Sequence, residues 1–230
     1  MQFPDARILI FARAPVPGRV KTRLIPALGT EGACALYRDC LLHVVEMACV
    51  AGLAPVELWC APDATHPVFA QLASRWPLTL RVQQGDDLGA RMRHAAAAAL
   101  HGARKVVLIG SDVPALGSVH LQRALCDLEA FEVVMNPAED GGYVLLGVRT
   151  DHPGLFEDMP WGGEQVAAET RRRCRAAGLR LREGERLWDL DRPNDLARLA
   201  AVPALEAWVG RVQHLPSECP PATLPPGRGE

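Results

Sequence analysis

Short apolar runs alternate along this chain with longer segments whose apolar residues recur every three or four positions. The runs "RILIFAR" (7–13), "PVELWCA" (55–61), "LTLRVQQ" (78–84), "KVVLIGSD" (105–112) and "FEVVMNP" (131–137) predict strands. "KVVLIGSD" is the most continuously apolar of them, as a strand buried on both faces should be. Between the runs, residues 30–52, a short stretch ending near Trp76, 87–103 and 118–129 predict helices. Thr30 is placed to cap the first of these and Gly52 to stop it. Such alternation implies an α/β protein, with a mostly parallel sheet between two helical layers. After residue 137 the rhythm changes. "GGYVLLGV" (141–148) follows the previous strand too closely for a crossover helix, which predicts local antiparallel pairing in a mixed sheet. A helix over about 163–177, a weak edge strand "LRLRE" (179–183) and one or two closing helices over 193–213 complete the pattern. The segment 215–230 is rich in proline and polar residues and reads as a disordered tail behind one domain over 1–214.

Composition narrows the class. With 230 residues and 49% apolar positions, the chain can bury a sizeable core. Lys plus Arg is 25 and Asp plus Glu is 27, a formal charge of -2, which argues against a general nucleic-acid partner. The seven cysteines show no C-x-x-C and read as reduced thiols. No apolar run approaches the ~20 residues of a membrane span, and no leader-like segment opens the chain. The expectation is a cytoplasmic protein with no membrane partner, monomer or homodimer; the apolar segment 204–212 would suit packing in cis or across a dimer.

Ligands of open α/β sheets sit beyond the carboxyl ends of the strands. There this sequence collects its polar chemistry. After the first strand comes "APVPGRVKTRL" (14–24), two prolines and a glycine followed by Arg19, Lys21 and Arg23. Proline stiffens such a loop, and Gly18 permits a positive φ or a close approach. Taken alone, it is equally a solvated turn and a phosphate clamp, in which Arg supplies a fork and Lys a compact charge. It lacks the second glycine of a Walker A loop. Asp112 follows "VVLIG" directly, as an N-cap or a metal ligand. In "WDLDRPND" (188–195), Asp189 and Asp191 are two apart, so an extended backbone puts both carboxylates on one side. They suit Mg²⁺ or Mn²⁺, or simple turn formation before Pro193. Asp195 reads as a helix start. "AEDGGY" (138–143) is a tight turn whose glycines also leave N–H groups open to a ligand, and Asp87 reads as a cap to the Ala-rich helix or a ribose contact. "RRRCR" (171–175) reads as a solvated face. No nucleophile–base pair stands out.

Taken in order, "FARAPVPGRVKTRL", "QQGDDLGARM", "IGSDVPAL", "PAEDGGYVLLG", a tryptophan and "DLDRPNDL" resemble the DUF2064 family over roughly residues 7–200. That family is also called radical-SAM/selenodomain-associated transferase 1, within the GT-A, or nucleotide-diphospho-sugar transferase, superfamily. The pattern is also similar to 2-phospho-lactate guanylyltransferases. The resemblance implies a Rossmann-like GT-A fold and a metal-dependent transferase using a nucleotide donor and a small-molecule acceptor. It implies nucleotide contacts from Ala12, Gly18, Lys21, Arg23, Leu88 and Gly89, with Lys21 and Arg23 as the phosphate clamp. Asp112 becomes the central metal ligand, with Asp189 and Asp191 as partners. Asp140, Gly141, Gly142 and Trp161 fall on the acceptor side. Lys21, Arg23 and Asp112 carry catalysis, and Arg19 points to water. "SDVP" offers one aspartate where sugar-transferring relatives carry D-x-D, which tilts the expectation toward nucleotidyl transfer to a phosphate- or carboxylate-bearing acceptor. Glycosyl transfer from an NDP-sugar is the alternative.

Overall fold

The computed structural model describes residues 1–212; the tail expected over 215–230 lies outside them. Seven strands form one sheet: β1 (Ala6–Arg13), β2 (Val56–Ala61), β3 (Leu78–Val82), β4 (Lys105–Gly110), β5 (Val133–Pro137), β6 (Tyr143–Val148) and β7 (Leu181–Glu183). Their spatial order is β3-β2-β1-β4-β6-β5-β7. β6 alone runs antiparallel to its neighbours, pairing with β4 and β5 as the short spacing before it predicts. The remaining pairs are parallel.

Alternate residues of each inner strand serve opposite faces, as a two-residue period requires. Ile8, Ile10, Val107 and Ile109 enter the core under α1 (Ile25–Val50), α2 (Pro67–Arg75) and α4 (Ser118–Asp127). Leu9, Val106 and Leu108 enter the other core, under α3 (Leu88–Leu100) and α5 (Val166–Ala176). A third cluster joins the first half of α1 to a 3-10 helix (Pro193–Ala201) and α6 (Ala207–Val212), through Leu190, Leu196, Leu199 and Trp208. Full burial of each such side chain contributes roughly 1.5–3 kcal/mol, so the sheet is held firmly on both faces.

Two expectations gain detail and a third changes. Gly29, at φ 69 and ψ 170, is non-helical and divides α1 into a leading turn over 25–28, with Pro26 near its start, and the long helix that runs from Thr30 as expected. The closing segment holds two helices, as expected, a 3-10 helix from Pro193 and then α6. The "RRRCR" run is less a solvated face than a brace. Arg171 holds Glu183, Arg172 and Arg173 hold Glu169, and Cys174 is buried. Among the described residues no helix is long and apolar enough to cross a membrane.

Candidate active site

The chain winds outward from β1 through β2 to β3, then returns to lay β4 on the other side of β1. A switch point of this kind opens a crevice at the strands' carboxyl ends, where open α/β sheets bind ligands. Two adjoining cavities lie there, sharing Phe11, Leu88 and Asp112.

The first is a cleft of about 760 Å³ lined by five cations: Arg13, Arg19, Lys21, Arg23 and Arg91. The proline-stiffened loop aims the middle three. Gly18 takes φ 76 and Lys21 itself takes φ 46, ψ 43, a left-handed conformation uncommon for lysine. The turn is closed by the Leu24 N–H donating to the Lys21 carbonyl at 2.9 Å, and Leu24 is fully buried. The Lys21 side chain is only 7% exposed, and its ammonium lies 2.6 Å from Asp112 Oδ2. Burial alone would lower its pKa. Asp112, with Asp191 and Asp189 beyond it, more than offsets that and raises it, so the ammonium stays charged. Arg23 is 64% exposed and paired with Asp191. Arg19 is exposed, as expected, and stands at the rim of the cleft. No carboxylate pairs with Arg13 or Arg19 among the described residues, so both are available to an anion.

The floor of the crevice is built by side chains that the sequence motifs do not single out. Tyr37, on α1, donates to the Arg13 carbonyl at 3.2 Å and accepts from the Arg13 N–H at 2.8 Å. Its hydroxyl also lies 3.0 Å from Ser111 Oγ. One phenol thereby ties the ends of β1 and β4 together, and burial pushes its pKa up so that it stays neutral. Gln83, past β3, donates to the Ala12 and Trp59 carbonyls. Ala12 itself is buried and lines the cleft. Arg13 and Arg91 could have been picked from their places, one closing the first strand and the other inside "DLGARM". Tyr37 and Ser111 become partners only through the fold.

The "WDLD" segment crosses from β5 to β4. Leu187 donates to the Pro137 carbonyl at 2.9 Å and Leu190 to the Asp112 carbonyl at 3.1 Å. Asp195 accepts from the N–H groups of Asp191 and Arg192 and starts the helix as expected. Asp189 and Asp191 do not act as one pair. Asp191 lines the cationic cleft against Arg23, while Asp189 lines the second cavity with Asp112 and Asp140. Burial, with Asp112 and Asp140 nearby, pushes the Asp189 carboxyl up to about 6.

That second cavity, about 230 Å³, is mostly apolar, with Met92, Leu108, Val144, Trp161 and Val166 among its walls. Leu88 stands at its boundary with the cleft. Gly89 is buried, and a Cβ there would collide with Trp161 Nε1 and the Phe156 carbonyl. Gly89 therefore gives close helix packing under Trp161. Asp140 accepts from the Gly142 N–H at 3.0 Å, and Gly141, at φ 91, lies against the Glu164 backbone. Asp87 caps α3, accepting from the Ala90 N–H at 2.8 Å.

Among the described residues no three His, Cys, Asp or Glu side chains form a closed metal site. Mg²⁺ and Mn²⁺ need less. Such hard ions commonly take one or two carboxylates, waters and substrate phosphates. Asp112 and Asp189 fit that donor set, being oxygen ligands whose mutual repulsion a cation would relieve. Asp191, expected beside them, is paired with Arg23 in this structure.

A family model described as an uncharacterized protein conserved in bacteria, DUF2064, matches residues 44–163, just over half of the chain. The chain belongs to the DUF2064 family. A Desulfovibrio desulfuricans G20 protein, assigned as a nucleotide-diphospho-sugar transferase, is 32% identical to this DUF2064 chain. The match covers 91% of the DUF2064 chain and 94% of the other, with TM-score 0.80. CMP:2-keto-3-deoxy-manno-octonic acid synthetase in complex with CTP shares the fold at 18% identity and TM-score 0.56, covering 88% and 99% of the two chains. A Mycobacterium tuberculosis H37Rv protein solved with manganese does so at 20% identity and TM-score 0.52, also covering 88% and 99%. No curated protein matches the DUF2064 chain. Its fold is that of nucleotidyl- and nucleotide-sugar transferases, as the sequence motifs imply.

Proposed function

We propose that this protein is a metal-dependent nucleotidyltransferase that takes an NTP in the cationic cleft. The observation that carries the reading is the set of five cations around one cleft, with Lys21 buried in a left-handed turn at its head. Four carboxylates, Asp86, Asp87, Asp112 and Asp191, share the cleft, and a triphosphate carrying a divalent cation is a ligand that suits both signs of charge. Lys21, Arg23, Arg19, Arg13 and Arg91 would hold the phosphates, and Asp112 and Asp189 would hold Mg²⁺ or Mn²⁺. When bound, that ion supplies Lewis-acid stabilisation of charge on the transferring phosphate. An acceptor oxygen attacks the α-phosphorus in line. The bond from that phosphorus to the bridging oxygen breaks, and pyrophosphate leaves against the cations. The protein's part is positioning and charge stabilisation.

The test is thermal shift with each of four NTPs and Mg²⁺. A cognate NTP at about a hundred times its Kd stabilises by ~2.7 kcal/mol, or roughly 5–10 °C for a chain of this size. Lys21→Met is expected to lose that shift while remaining folded. No shift with any NTP sinks the proposal. The likeness to the Desulfovibrio protein favours one other reading, glycosyl transfer from an NDP-sugar. It predicts larger shifts with UDP- or GDP-sugars than with any NTP.

A further inference from the structure

Of the chain's 25 lysine and arginine residues, only Lys21 and Lys105 are lysine. Both side chains are nearly closed off, 7% and 3% exposed. Lys105 opens β4, where its ammonium donates to the Leu125 carbonyl and pairs with Glu129, bracing the strand against the end of α4. Lys21 meets the other end of the same strand. Its ammonium holds Asp112, which stands in the wall shared by the two cavities. Asp112 and Asp189 are the two carboxylates that fit a hard divalent ion, but they are not equally placed to receive one. Asp189 forms no salt bridge among the described residues, whereas Asp112 Oδ2 has an ammonium 2.6 Å away. A guanidinium is a flat fork with its charge spread out; an ammonium is a compact point charge. At that distance it stands close to where an ion on the same oxygen would stand, Mg²⁺ taking carboxylate oxygens at about 2.1 Å. Two cations so near each other repel strongly, so both cannot hold Oδ2. The backbone supports the ammonium in that place: Lys21 takes φ 46, ψ 43, and fully buried Leu24 closes the turn.

We infer that Lys21 is a built-in competitor for the metal position: its ammonium holds Asp112 against a divalent ion and yields it only when nucleotide phosphates take the ammonium instead. This rests on the reading of the cleft as the nucleotide site. Lys21 lines that cleft with Arg19 and Arg23, so phosphates gathered by the arginines share a cavity with its ammonium. As the ammonium turns to the phosphates, Asp112 is freed for the ion that the phosphates also ligate. Ion and nucleotide then enter together, and neither binds well alone. By linkage, the factor by which the nucleotide raises ion affinity is the factor by which the ion raises nucleotide affinity.

The experiment follows Mn²⁺ binding to the full chain, without nucleotide, by the EPR signal of the free ion. Lys21→Met is expected to bind Mn²⁺ about tenfold tighter than wild type. Two further variants separate competition from general charge. Arg23→Met removes the same charge from an exposed place in the cleft and should change the affinity by less than about threefold. Asp112→Asn, added to Lys21→Met, should abolish the gain. The proposal is overturned if Lys21→Met binds no tighter than wild type, if Arg23→Met tightens binding as much, or if the double variant keeps the gain. A second measurement needs only the wild-type protein. With ¹⁵N-labelled lysine, the Nζ spectrum reports Lys21 and Lys105 alone, and Lys105 serves as the internal reference. Mg²⁺ alone should leave the Lys21 signal in place, and Mg²⁺ with the α,β-methylene analogue of the cognate NTP should move it. Movement with Mg²⁺ alone overturns the proposal. Tighter Mn²⁺ binding in Lys21→Met, with no analogue moving Lys21 or raising Tm, supports the competition and sinks the nucleotide reading. An analogue that moves Lys21, with no tightening in the variant, does the reverse.

Discussion

Lys21 shows how single residues here are set for a ligand at a cost to the resting fold. A left-handed lysine costs roughly 1–2 kcal/mol of backbone strain, sustained by buried Leu24 on one side and Asp112 on the other. Asp189 carries a second such cost. Its carboxyl sits at about 6 in the folded protein, against ~3.9 when unfolded, so the folded state binds that proton more tightly. The stabilisation this gives is complete below about pH 4 and is lost as pH rises through 6. Asp189→Asn should therefore be the more stable protein at pH 7 by about 1 kcal/mol, the shift being discounted for partial exposure. At pH 4 the two should melt together; equal melting at both pH values would exclude the charge repulsion. Tyr37→Phe is expected to cost about 1–3 kcal/mol, read as a lower denaturant midpoint, because it unties the Arg13 backbone from Ser111. The cationic loop, Asp112 and Asp189 could be found from sequence, since each directly follows a strand or lies in a short acidic motif. Tyr37 and Ser111 could not, because their chemistry depends on which strand ends the sheet brings together.

At the scale of elements, the strands were the legible part, because buried parallel strands leave continuous apolar runs such as "KVVLIG". Helix ends were less so. Thr30 does open the long helix, because Gly29 breaks the backbone before it, but the leading turn from Ile25 was not legible, since it is held by packing with Leu190 and Leu196. The separation of Asp189 from Asp191 has the same origin. Leu190 between them is fully buried and its N–H is fixed to the Asp112 carbonyl, so the segment is held with one carboxylate in each cavity. The contact of α3 with Trp161 makes a sharper test. Gly89→Ala should cost about 1–3 kcal/mol by overpacking, and should displace the indole. Loss of stability together with a changed tryptophan emission is the expected pair of results. A neutral Gly89→Ala would mean the glycine is kept for something other than packing.

For the whole molecule, a chain of formal charge -2 concentrates five cations at one mouth. Anion capture should then depend on ionic strength out of proportion to net charge, weakening by roughly tenfold between about 0.05 and 0.5 M salt. NTP titrations across that range would check it, and a flat response would count against a cleft built for polyphosphate. The antiparallel β6 has a consequence of a different kind, for divergence among relatives. The turn that feeds it is bonded at nearly every backbone position. Ala138 donates to Gly142, Glu139 to Leu187 and Ala167 to Gly141, while Gly142 donates to Asp140. A single inserted residue would break that lattice and throw Tyr143 to the other face of the sheet. The smaller cavity can therefore be retuned by exchanging side chains at fixed length, and loop-length variation should be concentrated elsewhere on the rim.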